Sequence, residues 1–557
     1  MNILGLGGSS HDFAAVLMVD GQIVVGIEEE RLTRRRHATT WWFEVPCQRA
    51  IDYCLETAGL SIEDIDHIVA GDIVPTRLLN DLPNIELINH HLLHAASIYH
   101  YENVEQMAVL SIDGGGSYLD SLMNVGQKDQ RETISFYHGK QGHLELLGRT
   151  AGDCMREIDS FSKSVSNSIG YFYDLITRSI GFGKYQEGKT MGLAAYGKPV
   201  YQQDLSKYIT MGESYSDAFL FNPLDKNLLD FISYEIKRQN HCFQVHADFA
   251  ASGQAIFEKA IFNCAQSVLN KTGANHLGLA GGCALNAVSN GRLKAALQKE
   301  GIKLHLLPFA NDAGQAFGAI AYKARQLGYN GPFRLKENRG LVDLAHPGKK
   351  YSQNHIVSAL NKFYPKVEFS YMPESYDFLA RKLSEGQIIG IFQGGSEFGP
   401  RALGNRSILA YPQNEKIRER LNRTIKHREP FRPIAPMVRT EDFSTYFEGE
   451  DDHMFMISTA NVKKDKLQEI PSVAHFDGTA RVQCLAKENN PLLHRTLGLL
   501  GQSGLHPVIC NTSFNGPGEP IVETPEDALD CFIRLGLDGL YIEGHWVWRP
   551  ENRESTH

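Results

Sequence analysis

The stretch Met1 to Ile27, MNILGLGGSSHDFAAVLMVDGQIVVGI, decides the fold class. Ile3 to Leu6 is an apolar run, GGSSHD is a loop, Phe13 to Val19 is apolar again, Asp20-Gly21 is a hairpin turn, and Ile23 to Ile27 forms a third strand. A dinucleotide fingerprint needs a helix after its glycines; a second strand follows GLGGSS, which excludes that reading. The pattern returns later. Met107 to Ile112 is apolar, DGGGS opens a loop at Asp113, and strands are predicted over Leu122–Val125 and Thr133–Tyr137. Two such strand–loop–strand units fit a duplicated nucleotide-binding fold; two unrelated hairpins fit equally well.

Further along, the spacing predicts a helix from about Pro46 to Gly59, with proline in its first turn and glycine at its stop. From Gly181 to Gly318 helix-like and glycine-rich stretches alternate, and residues 330–352 are polar and rich in Gly and Lys, as an interdomain linker would be. The boundary is placed near residue 345, giving domains 1–345 and 346–557. A chain of 557 residues with 42% hydrophobic and 22% charged residues has ordinary globular composition. Its net charge of −9 argues against a broad nucleic-acid surface but leaves room for a local basic pocket. The nine cysteines include no CxxC pair, and Cys47 and Cys54 share an apolar helical stripe with Ala50, Ile51 and Leu55, so a reducing cytoplasm is expected. MNILGLGGSS has neither a basic start nor a long apolar core, and no apolar run approaches the ~18 residues that span a bilayer, so neither a signal peptide nor a membrane anchor is expected.

Four separated segments carry compatible chemistry. His90 and His94 in NHHLLHAAS stand one helical turn apart. Asp113 opens DGGGS, and Asp312 lies in NDAGQAFG. Two imidazoles and two carboxylates, without thiolate, suit Fe2+, Mn2+ or Zn2+. Leu92 stands where a zincin would place its glutamate, which argues against a metalloprotease. GGCALN, with Gly281, Gly282 and Asn286, reads as a phosphate loop or as a plain strand-to-helix turn. Arg401 and Arg406 in EFGPRALGNRSIL, Lys426, Arg428 and Arg432 in KHREPFRPIAP, and His475 and Arg481 in HFDGTARVQ all sit in apolar, turn-rich surroundings. Solvated charges normally lie among polar residues, so these read as a pocket for a small phosphorylated molecule; buried ion pairs with Glu397 and Glu429 are the structural alternative. Asn511 begins the run NTSFN, and beyond it Thr524, Pro525 and Asp527 predict a capped helix start.

Taken together, HDFAAVLMVDG, EEERLTRRRH, HHLLHAAS, DGGG, EGKTMGLAAYG, GGCALN, NDAGQAFGA, EFGPRALGNRSI, KHREPFRPIAP, DGTARVQ and NTSFNGPGEPIV resemble the O-carbamoyltransferases of antibiotic and nodulation-factor biosynthesis, over nearly the whole chain. The resemblance implies an α/β protein: an N-terminal Kae1-like domain of the actin-like ATPase (ASKHA) class, then a YrdC-like α/β domain. It implies iron on His90, His94, Asp113 and Asp312, with His11 beside the acceptor hydroxyl. It also implies carbamoyl phosphate and ATP, with Mg2+, on Arg401, Lys426, Arg432, Arg481 and Asn511. Gly114, Gly115, Lys189, Gly281, Gly282 and Asn286 would serve the nucleotide of the N-terminal domain. The family often has lysine directly before the histidine of EEERxTRxKH. Here that residue is Arg36, which keeps the charge with different hydrogen-bond geometry and is grouped with His11 as catalytic.

The function so implied is ATP-dependent transfer of a carbamoyl group, through carbamoyl adenylate, to a hydroxyl of a small natural product. The partners are small molecules, with no nucleic acid and no membrane; the sequence leaves the acceptor and any homo-oligomer open. Two other readings stand beside it. One is a threonylcarbamoyl-type tRNA-modifying enzyme, disfavoured by the acidic balance. The other is a non-enzymatic actin-like ATP-binding module, which leaves the arginine cluster without a purpose.

Overall fold

The computed structural model describes the chain except residues 40–47, 76–78, 80–81, 103, 120–128, 157–162, 239–241, 337–343, 414 and 551–557. Pro46, Cys47 and the strand expected over Leu122–Val125 lie outside the described residues.

The opening stretch folds as its pattern predicts. Strands β1 (Asn2–Gly7), β2 (Ala14–Val19) and β3 (Gln22–Glu28) are followed by β4 (His67–Gly71) and β5 (Ile85–Ile88), in the sheet order β3-β2-β1-β4-β5. β2 and β3 form an antiparallel hairpin, closed where Asp20 (φ 49°) and Gly21 (φ 81°) both take the left-handed conformation that tight hairpin turns require. β1 pairs parallel to β4, and β4 parallel to β5.

A second sheet contains β6 (Gln106–Ile112), β7 (Gln130–Lys140), β8 (His143–Arg156) and β9 (Lys163–Val165). Beyond a small ribbon of β10 (Ile209–Thr210) and β11 (Leu220–Phe221), it is completed by β12 (His276–Ala280) and β13 (Lys303–His305). Its order is β13-β12-β6-β7-β8-β9. Read from β8, the run β8-β7-β6-β12-β13 repeats the first sheet's order strand for strand. The directions agree as well: β7 pairs antiparallel to β8, while β12 runs parallel to both β6 and β13. A repeat is therefore present in the structure, but its second unit differs from the one read in the sequence: Thr133–Tyr137 lies in β7, the second strand, and β8 takes the third place.

Helices pack on these sheets through glycines that let backbones touch. A Cβ on Gly5 would lie 2.1 Å from the Ala316 carbonyl oxygen, and one on Gly318 would lie 2.0 Å from that of Leu93. Substitution at either position would push apart elements that carry site residues.

The C-terminal region forms a mixed sheet. Its strands are β14 (Glu368–Tyr371), β15 (Ile389–Phe392), β16 (Arg406–Ala410), β17 (Ala435–Arg439), β20 (Gln483–Leu485), β21 (Val508–Ser513), β22 (Gly539–Ile542) and β23 (His545–Trp548), with β18 (Ala460–Asn461) and β19 (Thr479–Ala480) pairing separately. The order is β14-β23-β22-β15-β16-β21-β17-β20. Strand alternation divides its side chains. Ile408, Val438, Cys510 and Leu540 face the helices Gln353–Phe363 and Pro525–Leu535. Leu409, Met437, Ile509 and Tyr541 face Tyr376–Ser384 and Pro491–Gln502. Both layers are needed because each face of the sheet is apolar. Truncating the fully buried Phe532 to alanine would cost about 3–5 kcal/mol. The predicted helix start is present, with Thr524 and Asp527 in a reciprocal capping box and Pro525 in the first turn.

Contacts divide the chain into two compact units. One comprises Met1–Asn2, His11–Ile65 and Arg334–His557; the other comprises Ile3–Ser10 and Asp66–Phe333. The sequence boundary near 345 falls inside the first of these. Within that unit, Arg31 Nη2 donates to the Gly399 carbonyl (2.6 Å), Arg34 to those of Ile521 (2.6 Å) and Pro520 (2.9 Å), and Tyr53 Oη to Glu523 (2.6 Å). The passage from one unit to the other, at Phe333–Arg334, falls within the residues 330–352 read as a linker, although part of that stretch is packed. Leu344 and Ala345 are fully buried, and the Ala345 carbonyl accepts a hydrogen bond from Phe398 N at 2.9 Å. Its polar composition reflects neighbouring residues rather than this packed core. No helix among the described residues is long and apolar enough to cross a membrane.

Candidate metal centre and anion site

The helix His90–Glu102 begins at His90, with Asn89 Oδ1 accepting from Leu92 N at 2.8 Å. Asp113 follows β6, and Asp312 opens the turn before the helix Gln315–Gln326. These three approaches converge. His90 Nε2 lies 3.1 Å from Asp113 Oδ2 and 3.6 Å from Asp312 Oδ1; His94 Nε2 lies 3.7 and 3.5 Å from the same atoms. One donor atom from each residue falls within 4.8 Å of all the others. Both histidines are fully buried.

Burial disfavours charge on His94, yet Asp113 and Asp312 outweigh it and push the imidazole up to about 9. Asp113 is likewise held well below the usual carboxylate range, because the two histidines overcome its desolvation. The arrangement thus favours positive charge among the four donors. Two nitrogens and two oxygens at this spacing fit a divalent metal, with Fe2+, Mn2+ and Zn2+ all compatible with the donor set. His91, between the ligands in sequence, is separated from them in function. Its Nδ1 pairs with Ser135 Oγ at 2.7 Å, and burial keeps the ring neutral.

The glycine loops support this cluster. Gly114 N donates to Asp113 Oδ1 at 2.7 Å, and a Cβ on Gly282 would come within 3.0 Å of the same oxygen. Arg131 holds the carbonyls of Gly115 (2.5 Å) and Gly116 (2.7 Å). Gly281 has φ 90° and lies against the Ile112 backbone, which any side chain would strike. Asn286 caps the next helix by accepting from Ser289 N at 3.0 Å and pairs with Gln254. Lys189 stands on the helix Glu187–Ala194, its Nζ 5.5 Å from the Phe182 ring centre. Gly114, Gly281 and Gly282 are therefore brought to Asp113, whereas Asn286 and Lys189 are engaged elsewhere.

The sequence reading missed Gln315. It is fully buried, and its Nε2 lies 3.0 Å from His94 Nε2 and 2.8 Å from His90 Nδ1. Its position three residues after Asp312, inside a quoted motif, was the available signal.

In the other unit the cations converge. Arg401 lies between β15 and β16, Lys426, Arg428 and Arg432 precede β17, and Arg481 lies between β19 and β20. Burial lowers the Arg401 guanidinium to about 10, and the charges of Arg432 and Arg36 add to the effect. Arg428 is pushed down to about 9 by burial and by Arg432. Arg481 is lowered by burial and by Arg401, Arg432 and Arg428. Arg432 is lowered by burial against the opposing pull of Glu429, 3.9 Å away, and Arg36 lowers it further. Partly desolvated cations that repel one another form a site whose electrostatics an anion would relieve.

Lys426 and Arg406 are distinguished from this group by their partners. Lys426 Nζ donates to the carbonyls of Ser513 (2.8 Å) and Asn515 (2.9 Å) and to the Asn515 side chain, so it shapes the NTSFN loop. Arg406 donates to the carbonyls of Gln393 (2.7 Å) and Gly394 (3.1 Å), with its guanidinium over the Phe392 ring. Glu397 accepts three backbone N–H groups, from Leu403, Asn405 and Arg406. Asn511 donates to Gln483 Oε1 (2.8 Å) and the Ala402 carbonyl (3.2 Å). His475 is lowered to about 4 by burial and is neutral.

His11 and Arg36 also belong to this unit. His11 Nδ1 lies 3.2 Å from Asp12 Oδ2, and His37 Nδ1 lies 2.9 Å from Asp12 Oδ1. Arg36 opens the short turn Arg36–Ala38.

A buried two-histidine, two-aspartate cluster and a concentration of arginines on a mixed α/β chain are compatible with several classes of enzyme. Family models resolve which. "Carbamoyltransferase N-terminus" matches residues 2–77 and 72–321, and "Carbamoyltransferase C-terminus" matches 380–549. The chain belongs to the carbamoyltransferase family of enzymes. It is 32% identical to nodulation protein NolNO of Sinorhizobium fredii, over 96% of this chain and 79% of that protein. It is 32% identical to nodulation protein NolO of Bradyrhizobium diazoefficiens, over 82% and 78% respectively. A 3'-hydroxymethylcephem-O-carbamoyltransferase of Amycolatopsis lactamdurans is 36% identical over 32% of this chain and 34% of its own. Among solved structures, full-length HypF in its phosphate- and nucleotide-bound form aligns with 59% of this chain and 56% of its own, at 15% identity and a TM-score of 0.39, too distant a likeness to carry the fold.

Proposed function

We propose that this enzyme moves the carbamoyl group of carbamoyl phosphate, through carbamoyl adenylate, onto a hydroxyl of a small natural product. The observation that carries this reading is the gathering of Arg401, Arg428, Arg432 and Arg481, with Arg36 in electrostatic range, in a member of the carbamoyltransferase family. Carbamoyl phosphate and ATP are both polyanions, and fixed guanidinium groups neutralise them and stabilise the charge that develops as pyrophosphate departs. Water first attacks the carbamoyl carbon of carbamoyl phosphate, releasing phosphate and leaving carbamate; a carbamate oxygen then attacks the α-phosphorus of ATP, held with Mg2+, and pyrophosphate leaves. Lys426 acts through the loop it fixes, and Asn511 orients the same strand.

The mixed anhydride so formed hydrolyses readily, so it is consumed in a site shielded from water. His11 takes the acceptor's hydroxyl proton as the oxygen attacks the carbamoyl carbon, and AMP leaves. His90, His94, Asp113 and Asp312 would hold a divalent metal, with iron preferred, and it would supply Lewis-acid polarisation of the bound group. Gly115, Gly281 and Gly282 would offer backbone N–H groups to a nucleotide phosphate, while Gly114, whose N–H is held by Asp113, would shape the loop. The repeated sheet order favours an actin-like, Kae1-type reading of the first part of the chain. A YrdC-like reading of residues 346–557 rests on the motif resemblance. In this account 1–345 performs transfer and 346–557 activation, with residues 11–65 contributing to the activating unit. The cytoplasm is the proposed location.

The test is product analysis of the purified chain with carbamoyl phosphate, ATP and a panel of hydroxylated natural products. Mass gain of one carbamoyl group on an acceptor supports the reading. ATP consumption that is independent of carbamoyl phosphate would refute it.

A further inference from the structure

Asp12 and His37 are joined twice. The Asp12 backbone N–H donates to the His37 carbonyl at 2.8 Å, and the Asp12 carboxylate lies 2.9 Å from His37 Nδ1. The second carboxylate oxygen lies 3.2 Å from Nδ1 of His11. One carboxylate therefore bridges two imidazoles, each through the same ring nitrogen. The backbone is bent to allow it: Asp12 (φ 53°), His37 (φ 63°) and Ala38 (φ 39°) all occupy the left-handed region. The His37 N–H is fixed in addition by Glu30 Oε2 at 2.7 Å. Side chains other than glycine enter that region at a cost, and such strain concentrates at functional positions.

We propose that Asp12 is a positioning residue that locks both His11 and His37 in the Nδ1–H tautomer, so that each ring carries its basic lone pair on Nε2. An ionised carboxylate only accepts hydrogen bonds, so each facing Nδ1 must be the protonated atom, and in a neutral ring the other nitrogen is then the base. The two hydrogen bonds hold Asp12 ionised against its burial, in keeping with this assignment. The inference rests on the proposed role of His11 as base only for its catalytic meaning. The tautomers are a property of the chain itself. Sharing one carboxylate also ties the two loops together, so the orientation of His11 depends on His37.

The experiment is 15N-detected NMR of the full-length protein with labelled histidine, at about pH 8.5, where imidazoles of ordinary pKa near 6.5 are neutral. His11→Gln and His37→Gln assign the two rings. Both should show protonated Nδ1 and unprotonated Nε2, against the Nε2–H form at exposed histidines. In Asp12→Asn the amide can accept from one ring only and must donate to the other, so at least one ring should switch to Nε2–H. Asparagine tolerates the left-handed backbone, which keeps the variant foldable. Should it not fold, the parent spectra alone decide. Nε2–H at His11 or His37 in the parent, or unchanged tautomers in Asp12→Asn, would overturn the proposal. So would loss of the His37 Nδ1–H signal on adding a second equivalent of Zn2+, which would assign Asp12, Glu30 and His37 to a cation instead. If the tautomers are as proposed but His11→Gln transfers carbamoyl normally, the positioning stands and the base assignment fails.

Discussion

The guanidinium of Arg31 donates to the carbonyl oxygen of Gly399, 368 residues further along the chain, at 2.6 Å. The same side chain pairs with Glu28 at 2.7 Å, and Glu28 accepts from Gly399 N at 3.2 Å. A residue close to the N-terminus is thereby part of the C-terminal loop that leads to Arg401.

Removing Arg31 would leave Glu28 buried without its cation. Loss of one partner of a buried pair costs about 3–5 kcal/mol. Arg31→Met should lower the thermal midpoint by several degrees and weaken pyrophosphate release by displacing the 399–401 loop. An unchanged melting curve would show that the pair contributes nothing.

A chain beginning at residue 346 would lack Arg31, Arg34, Arg36 and Tyr53. It is expected to melt earlier than the same region carrying residues 11–65 and to lose activity dependent on carbamoyl phosphate. Calorimetry of the fragment, with pyrophosphate release as the second readout, checks this. Full activity in the bare fragment would confine activation to 346–557 alone.

His94→Ala should lose bound metal and carbamoyl transfer while retaining carbamoyl-phosphate-dependent pyrophosphate release, because the proposed function gives the two clusters separate steps. Metal analysis of the purified variant reads the first, and product assays the others. Normal metal content would remove His94 from the ligand set.

Glu29 supplies a pH-dependent contribution. Burial raises its carboxyl from 4.5 to about 7, although the Ala50 N–H opposes this. A raised folded-state value means that the folded chain binds the proton more tightly. The contribution is fully present below the unfolded value of 4.5 and is lost as pH rises through about 7. Glu29→Gln should therefore gain stability relative to the parent on going from pH 5 to pH 8, by at most about 3 kcal/mol. Paired denaturation curves at the two pH values measure it, and a constant difference between the proteins would refute the shift.

Local pattern made much of this legible. The Asp20-Gly21 turn, the helical spacing of HxxxH and the Thr524 cap depend on neighbours in sequence, and the structure has them where that pattern placed them, whereas Asp113 and Asp312 meet the histidines only through the fold. Arg401 and Arg406 have indistinguishable sequence surroundings, and only the folded loop shows that Arg406 is consumed by carbonyls of residues 393 and 394. Lys426 finds its acceptors 87 and 89 residues away, beyond any local signal. The long strand β8 was not anticipated, because its alternation is broken where its pairing with β7 shifts register. Gln315 was overlooked because a buried amide has no spacing rule of its own. The grouping of 11–65 with the C-terminal region rests on long-range hydrogen bonds that composition does not encode.

The most direct test of the account is pyrophosphate release by the full-length enzyme from ATP and carbamoyl phosphate without acceptor, in the parent and in Arg432→Ala. The account predicts release that requires carbamoyl phosphate, and a fall on the order of a hundredfold or more in the variant, as expected when a charge-assisted contact worth about 3 kcal/mol is lost. Formation of ADP and phosphate in place of pyrophosphate, or equal rates in the two proteins, would contradict it.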